Sequence, residues 1–182
     1  ALLDGATGAV RDVFSTGRFM PTALAVSKTE LLAATASGSE VRLWDLGTRK
    51  LVRELVPAKG TLERLAMCGQ RLFALAYGKV IAWDLTTGAQ LASLRPGPRQ
   101  PRGIVADRDG QRLFVGGDEV ILQISFERKK PAVSPFLPAA GAMALALSPD
   151  GARMAVASSR GLEVWELSGK LLAGPLPLSD AE

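Results

Sequence analysis

The chain has 182 residues, with 22 Lys and Arg against 18 Asp and Glu, a formal charge of +4 and an apolar fraction of 47%. That apolar content is enough to offset the entropy of ordering the backbone, which excludes disorder as the governing state. It contains no His and a single Cys68, and this removes more chemistry than any other feature of the composition.

Without His, no Ser-His-Asp triad, Cys-His pair, imidazole zinc site or histidine acid/base pair can form within this sequence. One Cys admits neither an internal disulfide nor a thiolate metal site. No catalytic residue, metal ligand set or cofactor is therefore expected. Apolar runs such as residues 142–147 fall far short of the roughly 18 residues of a membrane-spanning helix, so no membrane association is expected. The segment Ala1-Leu2-Leu3-Asp4 lacks a basic-then-apolar leader pattern, and a cytoplasmic location is the expectation. The pI of 9.6 looks basic, but the excess is modest and the aromatic residues are few: six Phe, three Trp and one Tyr. A nucleic-acid groove would interleave aromatics with positive charge, and none is expected.

Internal repetition organises the rest. Residues 1–14 open the chain as a stub. Within it, Leu3-Asp4-Gly5-Ala6-Thr7-Gly8-Ala9 matches Trp83-Asp84-Leu85-Thr86-Thr87-Gly88-Ala89 in register, and a strand is expected over 10–14. Four units follow, over 20–55, 62–94, 102–136 and 142–173. They carry Val41-Arg42-Leu43-Trp44-Asp45-Leu46, Val80-Ile81-Ala82-Trp83-Asp84-Leu85, Val120-Ile121-Leu122-Gln123-Ile124-Ser125 and Leu162-Glu163-Val164-Trp165-Glu166-Leu167. Their first residues stand 39, 40 and 42 apart, and every Trp falls in one column, with Gln123 there in the third unit.

Each of these segments follows two further apolar stretches. In the last unit these are 143–147 and 154–157, separated by the turn Ser148-Pro149-Asp150-Gly151. In that turn Pro presets φ, Asp can bond its own backbone and Gly accepts positive φ. In the third unit the stretches are 104–106 and 113–115, around the turn 107–110. A fourth stretch comes after each Trp segment, at 50–55, 90–94, 132–136 and 170–173, as after the turn Leu46-Gly47-Thr48. Stretches of about four to six residues bounded by turns are strands, not helices. Four short strands in a period of about 40 residues make one propeller blade.

Trp44-Asp45, Trp83-Asp84, the near-match Trp165-Glu166 and the turn 148–151 together resemble the WD-repeat β-propeller family. The resemblance implies an all-β fold of about four four-stranded blades plus the stub. It also implies closure with about seven blades, so the chain is expected to be part of a larger propeller. An open arc would leave an apolar blade face exposed, and self-association through that face is expected unless a partner covers it. The family's Gly-His pair is absent. The rival folds are an irregular β-sandwich and an α/β fold, the latter drawing only on Ala-rich stretches such as 139–146.

Trp44, Trp83 and Trp165 are read as packing between blades, and Asp45, Asp84 and Glu166 as carboxylates that stabilise turns. Arg95, Arg99 and Arg102 lie in the Pro/Gly-rich link 95–102 between two units. Prolines reduce the entropy lost on binding and Arg is a favoured interface residue, so these three are the candidate partner-binding residues. A second basic cluster, Arg128-Lys129-Lys130, is expected at the opposite edge. Gly116-Gly117 lacks the context of a phosphate loop. Asp107 and Asp109 supply too few oxygens for calcium, and Cys68 reads as a small buried hydrophobe. The function expected is a non-catalytic interaction or scaffold module, bound to another protein or to other domains of its own chain. The alternative is a segment of a propeller enzyme whose catalytic residues lie elsewhere.

Overall fold

A computed structural model describes residues 2–13, 20–27, 31–55, 60–97, 101–127, 130–139 and 141–177. β1 (Leu2–Leu3) and β2 (Val10–Asp12) form a two-stranded antiparallel stub. Blade 1 is the sheet β3 (Ala23–Val26), β4 (Leu32–Ser37), β5 (Glu40–Asp45) and β6 (Lys50–Leu55). Blade 2 comprises β7 (Leu62–Cys68), β8 (Arg71–Ala76), β9 (Lys79–Asp84) and β10 (Gln90–Leu94). Blade 3 comprises β11 (Gly103–Ala106), β12 (Arg112–Gly116), β13 (Val120–Ser125) and β14 (Ala132–Pro138). Blade 4 comprises β15 (Ala144–Leu147), β16 (Arg153–Ser158), β17 (Gly161–Glu166) and β18 (Leu171–Leu176). Every neighbouring pair within a blade is antiparallel. No helix occurs among the described residues, so none there is long and apolar enough to cross a membrane. The Ala-rich stretch near 144 is strand: Ala144 to Leu147 pair in register with Ala157 to Met154.

Blades 2 and 3 bury both faces, because alternate side chains point to opposite sides of a strand. In β8, Leu72, Ala74 and Ala76 face blade 1, while Phe73 and Leu75 face blade 3. The near face of each blade, turned to the preceding one, carries the Trp column. Trp83, Leu72 and Ile81 of blade 2 pack on Ala34, Ala36, Val41 and Leu43 of blade 1. Leu113, Val115 and Ile124 of blade 3 pack on Phe73, Leu75, Val80 and Ala82 of blade 2. Met154, Val156 and Trp165 of blade 4 pack on Phe114 and Ile121 of blade 3. The first strands β3, β7, β11 and β15 lie side by side in that order. Gly116 lies at the last of these junctions, where a Cβ would stand 2.8 Å from the Ala142 carbonyl oxygen.

The register corrects the repeat alignment in blade 3. Trp44, Trp83 and Trp165 stand opposite Ala33, Leu72 and Met154, and the residue equivalent to these three on β12 is Leu113. Leu113 pairs with Ile124, whereas Gln123 pairs with Phe114 on the other face. Ile124, fully buried, therefore fills the Trp column and Ser125 the carboxylate position. The β12–β13 connection is not the cause: Leu113 and Ile124 stand as far apart in sequence as Ala33 and Trp44, Leu72 and Trp83, and Met154 and Trp165. The displacement of the column is already present at Leu113, so it arises upstream of β12.

Two fourth strands also run further than expected. β14 reaches Pro138 because Val120 and Ile121 still find partners in Pro138 and Leu137. β18 reaches Leu176, which pairs with Leu162. In the stub, Phe14 lies outside the described residues.

Trp83 is 2% exposed at the centre of the first interface. Trp83→Ala is expected to cost roughly 3–5 kcal/mol by urea denaturation, the range for large aromatic truncations in cores. Ile124→Ala is expected to destabilise more than Gln123→Ala, and the reverse order would contradict the corrected register.

Candidate interaction site

The third-to-fourth-strand turns define one edge of the blades. Asp84 accepts hydrogen bonds from the Thr87 amide at 2.7 Å and the Thr87 hydroxyl at 2.9 Å. Asp45 accepts from the Thr48 amide at 2.7 Å. In the stub, Asp4 accepts from the Ala6 and Thr7 amides at 3.0 and 2.9 Å and from Arg11. The stub turn copies the blade 2 turn in its backbone too: Asp4 N–H bonds Ala9 O as Asp84 N–H bonds Ala89 O. Glu166 has a longer side chain and accepts from the Ser168 hydroxyl at 2.9 Å instead. Backbone donation from Thr7, Thr48 and Thr87 holds the carboxyls of Asp4, Asp45 and Asp84 below the usual aspartate range. Each of these carboxylates is engaged with its own turn.

The first-to-second-strand turns share this edge and are similarly closed. Asp107 accepts from the Arg112 amide at 3.0 Å and from its guanidinium at 2.9 Å. Cys68 is buried at the end of β7, and its thiol donates to the Arg108 carbonyl at 2.8 Å. Of the second basic cluster, Lys130 is described and exposed beyond β13, while Arg128 and Lys129 lie outside the described residues. Among the described residues no group of three or more Cys, Asp or Glu stands together to hold a metal.

The opposite edge is built differently. Here the inter-blade links meet the second-to-third-strand turns. Tyr77 and Gly78 both have positive φ, 47° and 73°, the geometry of a two-residue hairpin turn matched to strand twist. That conformation costs a tyrosine roughly 1–2 kcal/mol, and it lays the ring against Gly60, where a Cβ would stand 2.6 Å from the ring edge. Tyr77 remains 58% exposed. Arg95 donates to the Tyr77 carbonyl at 3.3 Å, tying the 95–102 link to this turn. Arg102 sits at the far end of the link, with its guanidinium 3.9 Å from Asp118. Arg99 lies outside the described residues.

Pro101 and Arg102 separate two clefts. One is lined by Pro96, Pro101, Val120 and Leu122 with Asp118, the other by Glu63, Arg64, Arg102 and Met143. A third holds Met20, Thr61 and Tyr77. The structure thus brings Arg95 and Arg102 to one edge and adds Met20, Arg64, Tyr77 and Met143. Met20 and Met143 are exposed at 86% and 44%. No motif marks them; what they share is their place in the approach to a first strand.

No family model and no curated protein matches the sequence. Solved structures do. The β-propeller domain of Cps50 (Swd1) from Myceliophteria thermophila aligns with a TM-score of 0.73 at 17% identity, over 88% of this chain and 56% of that one. The fold is a β-propeller. Hydrazine synthase from Kuenenia stuttgartiensis aligns with a TM-score of 0.70 at 20% identity, over 91% of this chain and 52% of that one. At these identities the likeness is one of architecture. The chain spans about half the length of the solved chains it matches.

The turn carboxylates give the propeller a signed acid response. A carboxyl lowered in the folded state stabilises fully above its unfolded value near ~3.9, and that contribution is lost as pH falls through the folded value. The melting temperature is expected to fall as pH drops below about 4. An Asp45→Asn/Asp84→Asn double variant should show a shallower fall, and an unchanged slope would remove these turns as the cause.

Proposed function

We propose that the chain is a non-catalytic interaction module of WD-repeat type, a segment of a larger propeller that docks a protein partner or other domains of its own chain. The observation that carries this reading is the contrast between the two edges. Asp4, Asp45, Asp84 and Asp107 spend their hydrogen-bonding capacity on their own turns. At the other edge, Arg95 and Arg102 flank exposed Tyr77 and Met143 beside open clefts. Tyr, Met and Arg are the residues enriched at protein interfaces. Proline at 96 and 101 stiffens the link and lowers the entropy lost on docking.

WD-repeat character is supported by the shared Trp column and by the likeness to Cps50 (Swd1). A cytoplasmic setting suits a buried, unbridged Cys68. An enzyme segment is the second reading, favoured by the likeness to hydrazine synthase. Lacking His, this chain would then supply scaffold to a reaction centre built elsewhere.

The test is a photo-crosslinking residue placed at Tyr77 or Arg102, compared with one at Lys130 or Lys170 on the other edge. Partner adducts are expected from the first pair only, and equal yields from both edges would overturn the assignment. An Arg95→Ala/Arg102→Ala variant is expected to weaken the crosslinked partner's binding about 10-fold or more.

A further inference from the structure

The fourth strands β6, β10, β14 and β18 each stand at the outer end of their sheet, and among the described residues no strand pairs with them on that side. Such an edge is a template for another strand, and natural sheets blunt it with charge, proline or irregular backbone. Three of the four edges are blunted by their own residues. β6 carries Lys50, Arg53 and Glu54, β14 carries Pro135 and Pro138, and β18 carries Gly174 and Pro175. β10 is Gln90-Leu91-Ala92-Ser93-Leu94, without charge, proline or glycine. All four strands have a register irregularity against their third strand, so that feature does not set β10 apart.

The register fixes which backbone groups of β10 are open. β9 turns Asp84 toward β10, since the Asp84 amide bonds the Ala89 carbonyl at 2.9 Å. Alternate residues of an antiparallel strand address opposite neighbours. Ala82 and Val80 therefore also face β10, where Ala92 and Leu94 stand opposite them. Ser93, opposite Ile81, directs its N–H and C=O outward, away from the sheet. Leu91, two residues earlier, is 44% exposed. Arg95 follows β10 directly and is exposed, and among the described residues its guanidinium bonds the Tyr77 carbonyl and no carboxylate.

We infer that β10 receives a short extended segment of the protein partner as a fifth strand of blade 2, with an acidic side chain of that segment set against Arg95. The open backbone of Ser93 selects the conformation, because an extended chain brings N–H and C=O groups to a sheet edge at strand spacing. Arg95 selects the charge. Area selects a segment over a second copy of this chain. A ladder on five residues is about 17 Å long. It covers far less than the roughly 1,200 Å² that a stable contact between two folded proteins buries. A segment tethered to a partner already held at the link edge needs no such area, since the tether raises its effective concentration at β10. The inference rests on reading the chain as an interaction module, and it adds where the partner's segment sits and in what conformation.

A random decapeptide library displayed on phage and selected on the full chain supplies the probe. The selected peptides are expected to carry Asp or Glu and to protect the Ser93 amide from hydrogen exchange. They should bind Ser93→Pro and Ser93→Lys at least about 10-fold more weakly than the wild type. Ser93→Pro removes an N–H that the blade's own ladder does not use. Ser93→Lys keeps the backbone and charges the edge, and it decides the matter alone if the proline variant melts early. Selection that yields no binding peptide, peptides that bind both variants as they bind the wild type, or protection that spares Ser93 would each overturn the inference. So would a wild type that sediments as a dimer beside a monomeric Ser93→Lys, because the edge would then belong to a second copy. A partner that crosslinks at Tyr77 and binds Ser93→Lys undiminished would fault the added strand alone. Equal crosslinking from both edges, with the Ser93 amide still protected, would fault the link-edge reading alone.

Discussion

A β-sheet apolar on both sides can be stable only between two neighbours, and the rest of this structure follows from that constraint. Blades 2, 3 and 4 each insert a column face into the preceding blade, and blades 1, 2 and 3 each offer a receiving face to the next. The distribution of burial shows the consequence. Of the largest fully buried side chains, Trp83, Phe73, Leu72 and Ile81 belong to blade 2 and Phe114, Leu113, Ile121 and Ile124 to blade 3. Blade 1 contributes Leu43 and blade 4 contributes Met154. Stability is therefore shared between neighbours in the manner of a linear repeat array. A blade's own hydrogen bonds set its shape, and the adjoining blades set how much of it is core.

Polar contacts reinforce the same junctions. Arg71 of blade 2 donates to the Gly110 carbonyl of blade 3 at 2.7 Å and stacks over Phe126. Arg53 of blade 1 donates to Thr87 O in the blade 2 turn at 2.5 Å. Thr22 bonds Leu62 O across the first junction at 2.7 Å. These bonds lie toward the ends of the strands, where backbone carbonyls of the neighbouring turn lack a ladder partner. They fix the height of one blade against the next, a degree of freedom that apolar packing leaves soft because it is not directional.

Most of this architecture was legible because its signals are local. A turn such as Ser148-Pro149-Asp150-Gly151 announces itself through backbone chemistry, and a buried strand through a short apolar run. The Asp4 and Asp84 turns matched across the chain because the same hydrogen-bonding pattern needs Asp, Thr and Gly at the same spacing. Blade 3 was misaligned for a physical reason. A displacement that arises upstream of β12 shifts the column without changing composition, and a one-residue shift exchanges the two faces of a strand. With no Trp to mark the column, Gln123 and Ile124 differ only in which face they occupy. At the edge of the inter-blade links, the placement of Arg95 and Arg102 on one link was legible from its Pro/Gly-rich composition. Met20, Arg64 and Met143 were not, since their exposure depends on where neighbouring blades leave a cleft.

The two edges differ because they meet different demands. A third-to-fourth-strand turn joins strands of one sheet, so short-range Asp-to-amide bonds can satisfy it completely, as at Asp45 and Asp84. A blade-to-blade link must instead cross from the outer strand of one sheet to the inner strand of the next, as residues 95–102 cross from β10 to β11. A span of that length cannot be closed by one carboxylate, and here it is stiffened by proline and pinned to the neighbouring turn through Arg95 and the Tyr77 carbonyl. In that turn the Tyr77 backbone takes a costly left-handed conformation, and more than half of the residue's surface stays in water. Backbone strain of this kind persists where surrounding structure enforces it, and it clusters at sites that bind. The edge that cannot satisfy itself through its own turns is accordingly the one proposed above to dock a partner.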